Sequence, residues 1–224
     1  MEDYYSNSLN SNNLRKCYEI APGRVKQFLD AEISFVADKC NQDDVLLDLG
    51  CGYGRVSFRL LEKVNRIVGI DTSADNIHLA KELLGENDRC KFIKMNVADL
   101  KFDNNSFDKV ICVQNGISAF KVDPVRLMKE SIRVTKKGGM VLYSSYSEKF
   151  WNDRLEWFEL QAEEGLIGEI DYQQTKNGTI ICKDGFKATT FSGDDFLKAA
   201  SNFNVRSTIH EIDNSSIFCE MIVD

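Results

Sequence analysis

Two carboxylates and three glycines stand close enough along the chain to build a binding site: Asp48, Gly50, Gly52, Gly54 and Asp71. Glycine has no Cβ, so a run of alternate glycines lets the backbone turn sharply and brings a ligand against main chain. The apolar run Val45-Leu46-Leu47 leads into the turn, and Val56, Leu60, Leu61 and Val64 follow it on one face of a helical pattern. A second apolar run, Ile67-Val68-Gly69-Ile70, ends on Asp71. The order is therefore strand, glycine turn, helix, strand, acid. A helix opening near Arg55 directs unpaired N–H groups and the positive end of its dipole at the turn. An acid about 20 residues further on, at the tip of the next strand, suits the paired hydroxyls of a ribose. This unit is predicted to hold a nucleoside with an anionic or polar tail.

Asp48 narrows the choice of nucleoside. A dinucleotide fingerprint reads G-x-G-x-x-G, whereas the glycines here alternate and an acid precedes them, repelling a pyrophosphate and favouring a cationic amino group. The run Asp48-Leu49-Gly50-Cys51-Gly52-Tyr53-Gly54-Arg55 resembles the first motif of the class I S-adenosylmethionine-dependent methyltransferases, D/E-x-G-x-G-x-G. The resemblance implies S-adenosyl-L-methionine as cofactor. Asp48 and the backbone of Gly50 and Gly52 would hold its methionyl end, Cys51 would touch it through backbone alone, and Gly54 and Arg55 would close the turn. Asp71 would accept from both ribose hydroxyls, and Thr72, Asn96 and Val97 would border the adenine. Asn96 then stands where the family often has an acid, with Asp99 the alternative if the register shifts. The segment from Asn104 to Val113 resembles the one leading into the family's fourth strand, which implies that Gln114 lies beside the methionyl group. The acceptor is expected over Gln114, with Tyr18, Asn115 and Trp151 as candidate substrate contacts. The amino-terminal arm, Trp151, Trp157 or residues 169–191 would roof it. No side chain is singled out as a catalytic base.

These residues need a scaffold, and the pattern supplies one. A helical stretch runs from Leu14 to Cys40, helices are predicted over Ala74 to Leu84 and Pro124 to Val134, and strands over Lys91 to Met95 and Met140 to Ser144. Strict alternation of strand and helix predicts a doubly wound, mostly parallel α/β sheet. Lys136-Lys137-Gly138-Gly139 reads as a helix stop. After a helix at Trp151 to Ala162, the pairs Asn177-Gly178 and Asp184-Gly185 separate three alternating runs, predicting a small β insertion after strand five. Ser192 to Asp195 opens a last helix by a capping box, and Val205 to Glu211 pairs with Ile217 to Val223. This closing hairpin resembles the reversed last strand of the seven-stranded, Rossmann-like methyltransferase fold. One domain over 1–224 is expected: an arm and helix (1–40), a cofactor-binding core (41–145), a helix and hairpin insertion covering the acceptor (146–191), and the closing elements (192–224).

Composition bears on partners. The formal charge is −7 and no basic run exceeds Lys136-Lys137, which argues against nucleic acid, whose phosphates need a basic face. No apolar stretch is long enough to span a membrane, and Met1-Glu2-Asp3-Tyr4 lacks the basic and apolar parts of a signal peptide. A cytoplasmic monomer or homodimer is expected. The seven cysteines never fall as C-x-x-C and the two histidines stand apart, so no metal site is expected. The leading functional expectation is methyl transfer to a nucleophilic N, O or S atom of a small molecule. The alternatives are a protein side chain as acceptor, a sensor that binds S-adenosylmethionine without turnover and, more remotely, a nicotinamide enzyme.

Overall fold

The computed structural model describes residues 11–224. Two helices come first, α1 (Ser11–Glu19) and α2 (Gly23–Asp38), in place of one continuous helical stretch. Pro22 sits ahead of α2 with φ −58° and ψ 162°, and a proline disfavours helical backbone in the residue before it. Ser11 to Asn13 are already helical; the rest of the expected arm, residues 1–10, lies outside the described residues.

The alternating part follows: β1 (Val45–Leu49), α3 (Arg55–Leu60), β2 (Arg66–Asp71), α4 (Ala74–Leu84), β3 (Cys90–Lys94), β4 (Phe107–Cys112), the short α5 (Gly116–Ala119), α6 (Pro124–Val134) and β5 (Thr135–Tyr146). Helix α7 (Trp151–Glu163) leads to a hairpin of β6 (Thr179–Ile181) and β7 (Lys187–Thr189), then to α8 (Gly193–Ala200), β8 (Val205–Ile212) and β9 (Ser216–Val223). Seven strands form one sheet in the order β3-β2-β1-β4-β5-β9-β8. β9 alone runs against its neighbours, pairing antiparallel with both β5 and β8.

Alternate residues of a strand face opposite sides, and both sides of this sheet are covered. Leu46, Ile67, Ile111, Leu142 and Phe218 pack with Ile33 and Val36 of α2. Leu47, Val68, Val110 and Val141 pack on the other side with Leu127 and Met128 of α6 and Phe196 of α8. Burial on both faces is why β1 and β2 read as continuous apolar runs.

Three local expectations give way to the structure. β5 begins at Thr135, so Gly138-Gly139 is a kink inside a strand and not a helix stop. Gly138 has φ +72°, and a Cβ on Gly139 would come within 2.8 Å of the carbonyl oxygens of Asp108 and Lys136. Of the three runs in the insertion, the first pairs only through single bridges at Ile170 and Lys176. There the Asp171 carboxylate accepts from the backbone N–H groups of Gln173 and Gln174, and this local turn competes with strand pairing. The third difference is α5, which holds the backbone after β4 in a tight turn where a strand end was expected.

Candidate active site

The carboxyl ends of β1, β2, β4 and β5 open on one cavity of about 550 Å³, within the roughly 300–1,000 Å³ typical of small-molecule sites. The glycine turn forms its floor. Gly50, Gly52 and Gly54 have φ of +72°, +54° and +86°, a region that side chains rarely adopt. The backbone N–H groups of Gly50 and Cys51 donate to the Ile70 carbonyl, tying the turn to β2. A Cβ on Gly50 would run into the Phe120 ring at 2.6 Å, and one on Gly52 would meet Leu14 of α1 at 3.0 Å.

Two carboxylates flank the turn. Asp71 is fixed at the tip of β2: Gly52 N–H donates to Oδ2 at 3.0 Å, and Ser73 N–H donates to Oδ1 at 2.8 Å. Asp48 is buried inside β1 and accepts from the Ser57 hydroxyl at 2.7 Å. Burial pushes its carboxyl up to about 6, against the opposing pull of Ser57 and Arg55, and the nearby Asp71 adds to the rise. Arg55 lies over the Tyr18 ring at 4.6 Å, and its Nη2 is buried without a hydrogen-bond partner.

Gln114 closes the far side in a left-handed conformation, φ +55°. Its N–H donates to Glu32 Oε2 at 3.1 Å and to Ser144 Oγ at 2.8 Å, and its side-chain oxygen accepts from the Tyr18 hydroxyl at 2.8 Å. Its Nε2 is buried without a partner. Glu32, fully buried on α2 and also accepting from Ser216, is the residue that sequence reasoning missed. Its signal was there: it shares a helix face with Val25, Phe28, Leu29, Ile33 and Val36, a lone acid on a core stripe.

Helix α1 roofs the cavity through Leu14, Cys17 and Tyr18. It is pinned by Ser11 N–H donating to Asn76, by the Trp157 indole donating to the Cys17 carbonyl at 2.8 Å, and by a Lys16–Glu164 ion pair. The roof is therefore a helix with α7 beneath it.

Of the expected cofactor residues, Asp48, Gly50, Cys51, Gly52, Arg55, Asp71, Thr72, Asn96, Val97 and Gln114 all line the cavity. Gly54 does not line it but closes the turn, its N–H donating to the Cys51 carbonyl at 2.9 Å, and a Cβ there would meet Leu84 at 2.6 Å and Phe92 at 3.3 Å. Asn96 turns its amide oxygen to its own chain, accepting from Ala98 N–H at 2.8 Å, while Asp99 faces solvent and pairs with Lys101. Tyr18 lines the cavity; Asn115 and Trp151 do not. The Asn115 amide is a buried strut, accepting from Ser145 and donating to the Thr189 carbonyl of β7. Trp151 packs into the apolar cluster beneath α7, next to the Arg154 guanidinium. In its place Trp157, Phe158 and Phe186 reach the cavity. Among the described residues no group of three His, Cys, Asp or Glu side chains is placed to hold a metal. None of their helices is long and apolar enough to cross a membrane.

Residues 46–139, from β1 to the kink in β5, match the family model described as methyltransferase domain. Over that segment, less than half of its length, the chain is similar to the class I S-adenosylmethionine-dependent methyltransferases. It is 31% identical over 102 residues to a demethylmenaquinone methyltransferase of Clavibacter sepedonicus, covering 46% of this chain and 41% of that protein. It is 26% identical over 135 residues to the ubiquinone/menaquinone biosynthesis C-methyltransferase UbiE of Agrobacterium fabrum, covering 58% and 51%. The chain thus spans about half the length of these relatives, over the segment that carries the cofactor floor. A Pyrococcus horikoshii protein shares the fold over the full length of both chains, with TM-score 0.69 at 20% identity. A methyltransferase structure from Methanosarcina mazei shares it over 84% of this chain and 97% of that one, with TM-score 0.60.

The residues of this site fit S-adenosyl-L-methionine. The unpartnered Arg55 Nη2 calls for an anion, such as the methionyl carboxylate. The buried Asp48 carboxyl calls for a cation or a donor, such as an amino group. The Cβ-free floor at Gly50 and Gly52 admits backbone contact.

Proposed function

We propose that this methyltransferase transfers the methyl group of S-adenosylmethionine to a small-molecule acceptor. The observation that carries the reading is that one cavity joins the Asp48–Arg55–Asp71 end to an enclosed aromatic end formed by Tyr146, Trp157, Phe158 and Phe186. When bound, the cofactor supplies an electrophilic methyl group on a sulfonium; the protein supplies position. Asp48 and Arg55 would orient the amino acid part, Asp71 the ribose, and Val97 with Thr72 and Asn96 the adenine. Gln114, held rigid by Glu32, Ser144 and Tyr18, would stand between donor and acceptor. Segment 146–191 would cover the acceptor.

Three hydroxyl and thiol groups of the cavity are not bases. Burial pushes the Tyr18 phenol up, and pushes Tyr146 and the Cys17 thiol up to about 12, so all three stay protonated at neutral pH and can donate but not abstract. The relatives named include C-methyltransferases and the erythromycin 3''-O-methyltransferase of Saccharopolyspora erythraea, all with small-molecule acceptors.

The test is incubation of the purified protein with methyl-labelled S-adenosylmethionine and a metabolite extract. The expected result is label in small organic molecules. Label confined to a protein band would replace this reading with a protein methyltransferase. No label anywhere despite cofactor binding would replace it with a sensor.

A further inference from the structure

The charge around the acceptor end of the cavity limits what can enter it. The charged residues lining the cavity are Asp48, Arg55, Asp71 and Lys121, and both carboxylates lie at the donor end, on β1 and β2. Among the described residues no carboxylate lines the aromatic end. Guanidinium groups already lie over three of its rings: Arg55 lies 4.6 Å from the Tyr18 ring centre, and Arg154 lies 4.2 Å from Tyr146 and 5.4 Å from Phe158. A protonated amine entering here would lose its water, find no described acid to pair with and meet guanidinium groups already over Tyr18, Tyr146 and Phe158. The walls suit a flat apolar body. Trp157 and Phe158 stand edge to face at 5.9 Å, with Phe186 a further 5.9 Å along. Gln161 and the Tyr146 hydroxyl also line it, with Gln161 Nε2 donating to the Trp157 carbonyl, while the Gln114 amide keeps a buried donor without a partner. Tyr18 occupies its oxygen, leaving Nε2 buried, unpartnered and able only to donate.

We infer that the acceptor is an aromatic ring carrying an oxygen, a phenol or hydroquinol taken up neutral or as its anion. Gln114 Nε2 fixes that oxygen and the aromatic walls flank the ring. This rests on the methyltransferase reading above and adds the acceptor class to it. Gln114 is the specificity-determining residue on this account, and Glu32 and Ser144 position it.

The test is calorimetric titration of the protein saturated with S-adenosylhomocysteine, using 2-naphthol and protonated 1-naphthylmethylamine as ring-matched probes. The expected result is that 2-naphthol binds at least tenfold more tightly than the amine, and that Gln114→Leu loses at least fivefold of the 2-naphthol affinity. Equal or tighter binding of the amine, or no binding of either probe to the wild-type complex, would overturn the inference with the donor site intact. It would also be overturned by full 2-naphthol affinity in Gln114→Leu. Failure of S-adenosylhomocysteine itself to bind would overturn the methyltransferase reading, and this inference with it. The wild-type comparison of the two probes stands even if the variant does not fold.

Discussion

Asp48 is where one side chain's chemistry reaches furthest. Its carboxyl, near 3.8 in an unfolded chain, is raised to about 6 in the folded one, chiefly by burial. A raised carboxyl favours the folded state when protonated. Its contribution is complete below about pH 4 and is lost as pH climbs through 6, a change of roughly 3 kcal/mol for a shift of this size. Asp48→Asn keeps an acceptor for Ser57 and removes the titration. Urea unfolding of the free variant should show a flatter stability profile between pH 4 and 7 than wild type; an identical profile would show that Asp48 does not carry the shift. In wild type, affinity for S-adenosylhomocysteine should fall as pH drops below about 6, because the amino group then meets a neutral acid. Asp48, Asp71 and the glycines were legible because acid–glycine spacing in a strand–turn–helix context has few other uses. Glu32 and Tyr146 were not, because a buried acid and a strand-end tyrosine acquire their role only from what packs against them.

Helix α1 and strand β5 carry the site at the scale of elements. The Trp157 indole on the Cys17 carbonyl is one of the contacts that hold α1 over the cavity. Trp157→Phe keeps the ring but removes the donor, at a cost of about 1 kcal/mol. Amide exchange in residues 11–19 should quicken and donor dissociation should speed up, whereas unchanged exchange would mean that the roof is held by its other contacts. In β5, Gly139→Ala would press a methyl group onto two backbone carbonyls at 2.8 Å, and backbone yields less easily than side chains. A loss of about 1–3 kcal/mol in thermal or urea unfolding is expected. Helices α4 and α6 matched their predicted limits because Ser73 and Asp123 cap them, each accepting from a backbone N–H of the first turn. The start of β5 was illegible because a glycine with positive φ serves a helix stop and a strand kink equally well. The same ambiguity hid the break at Pro22, where helical periodicity continues on both sides of the interruption.

For the whole molecule, strand order puts the proposed donor and acceptor ends in one cavity. β1 and β4 lie side by side at the centre of the sheet, and their carboxyl ends, where the chain turns toward opposite edges of the sheet, supply Asp48 and Gln114. Ligands of open α/β sheets bind at such a reversal. Alternating strands and helices made this much readable in advance, and the closing hairpin supplied the reversed strand. The aromatic end was not readable, because it draws on α1, β5, α7 and the loop between β6 and β7, segments far apart in sequence and joined only by folding.

Calorimetric titration with S-adenosylhomocysteine, run on wild type and on Asp71→Ala, tests the central claim most directly. One site per chain is predicted, weakened about ten- to a hundredfold in the variant, since hydrogen bonds to a charged group are worth about 1.5–3 kcal/mol. No heat with wild type, or an unchanged dissociation constant in Asp71→Ala, would contradict the assignment of this glycine turn and its two flanking carboxylates to a sulfonium nucleoside.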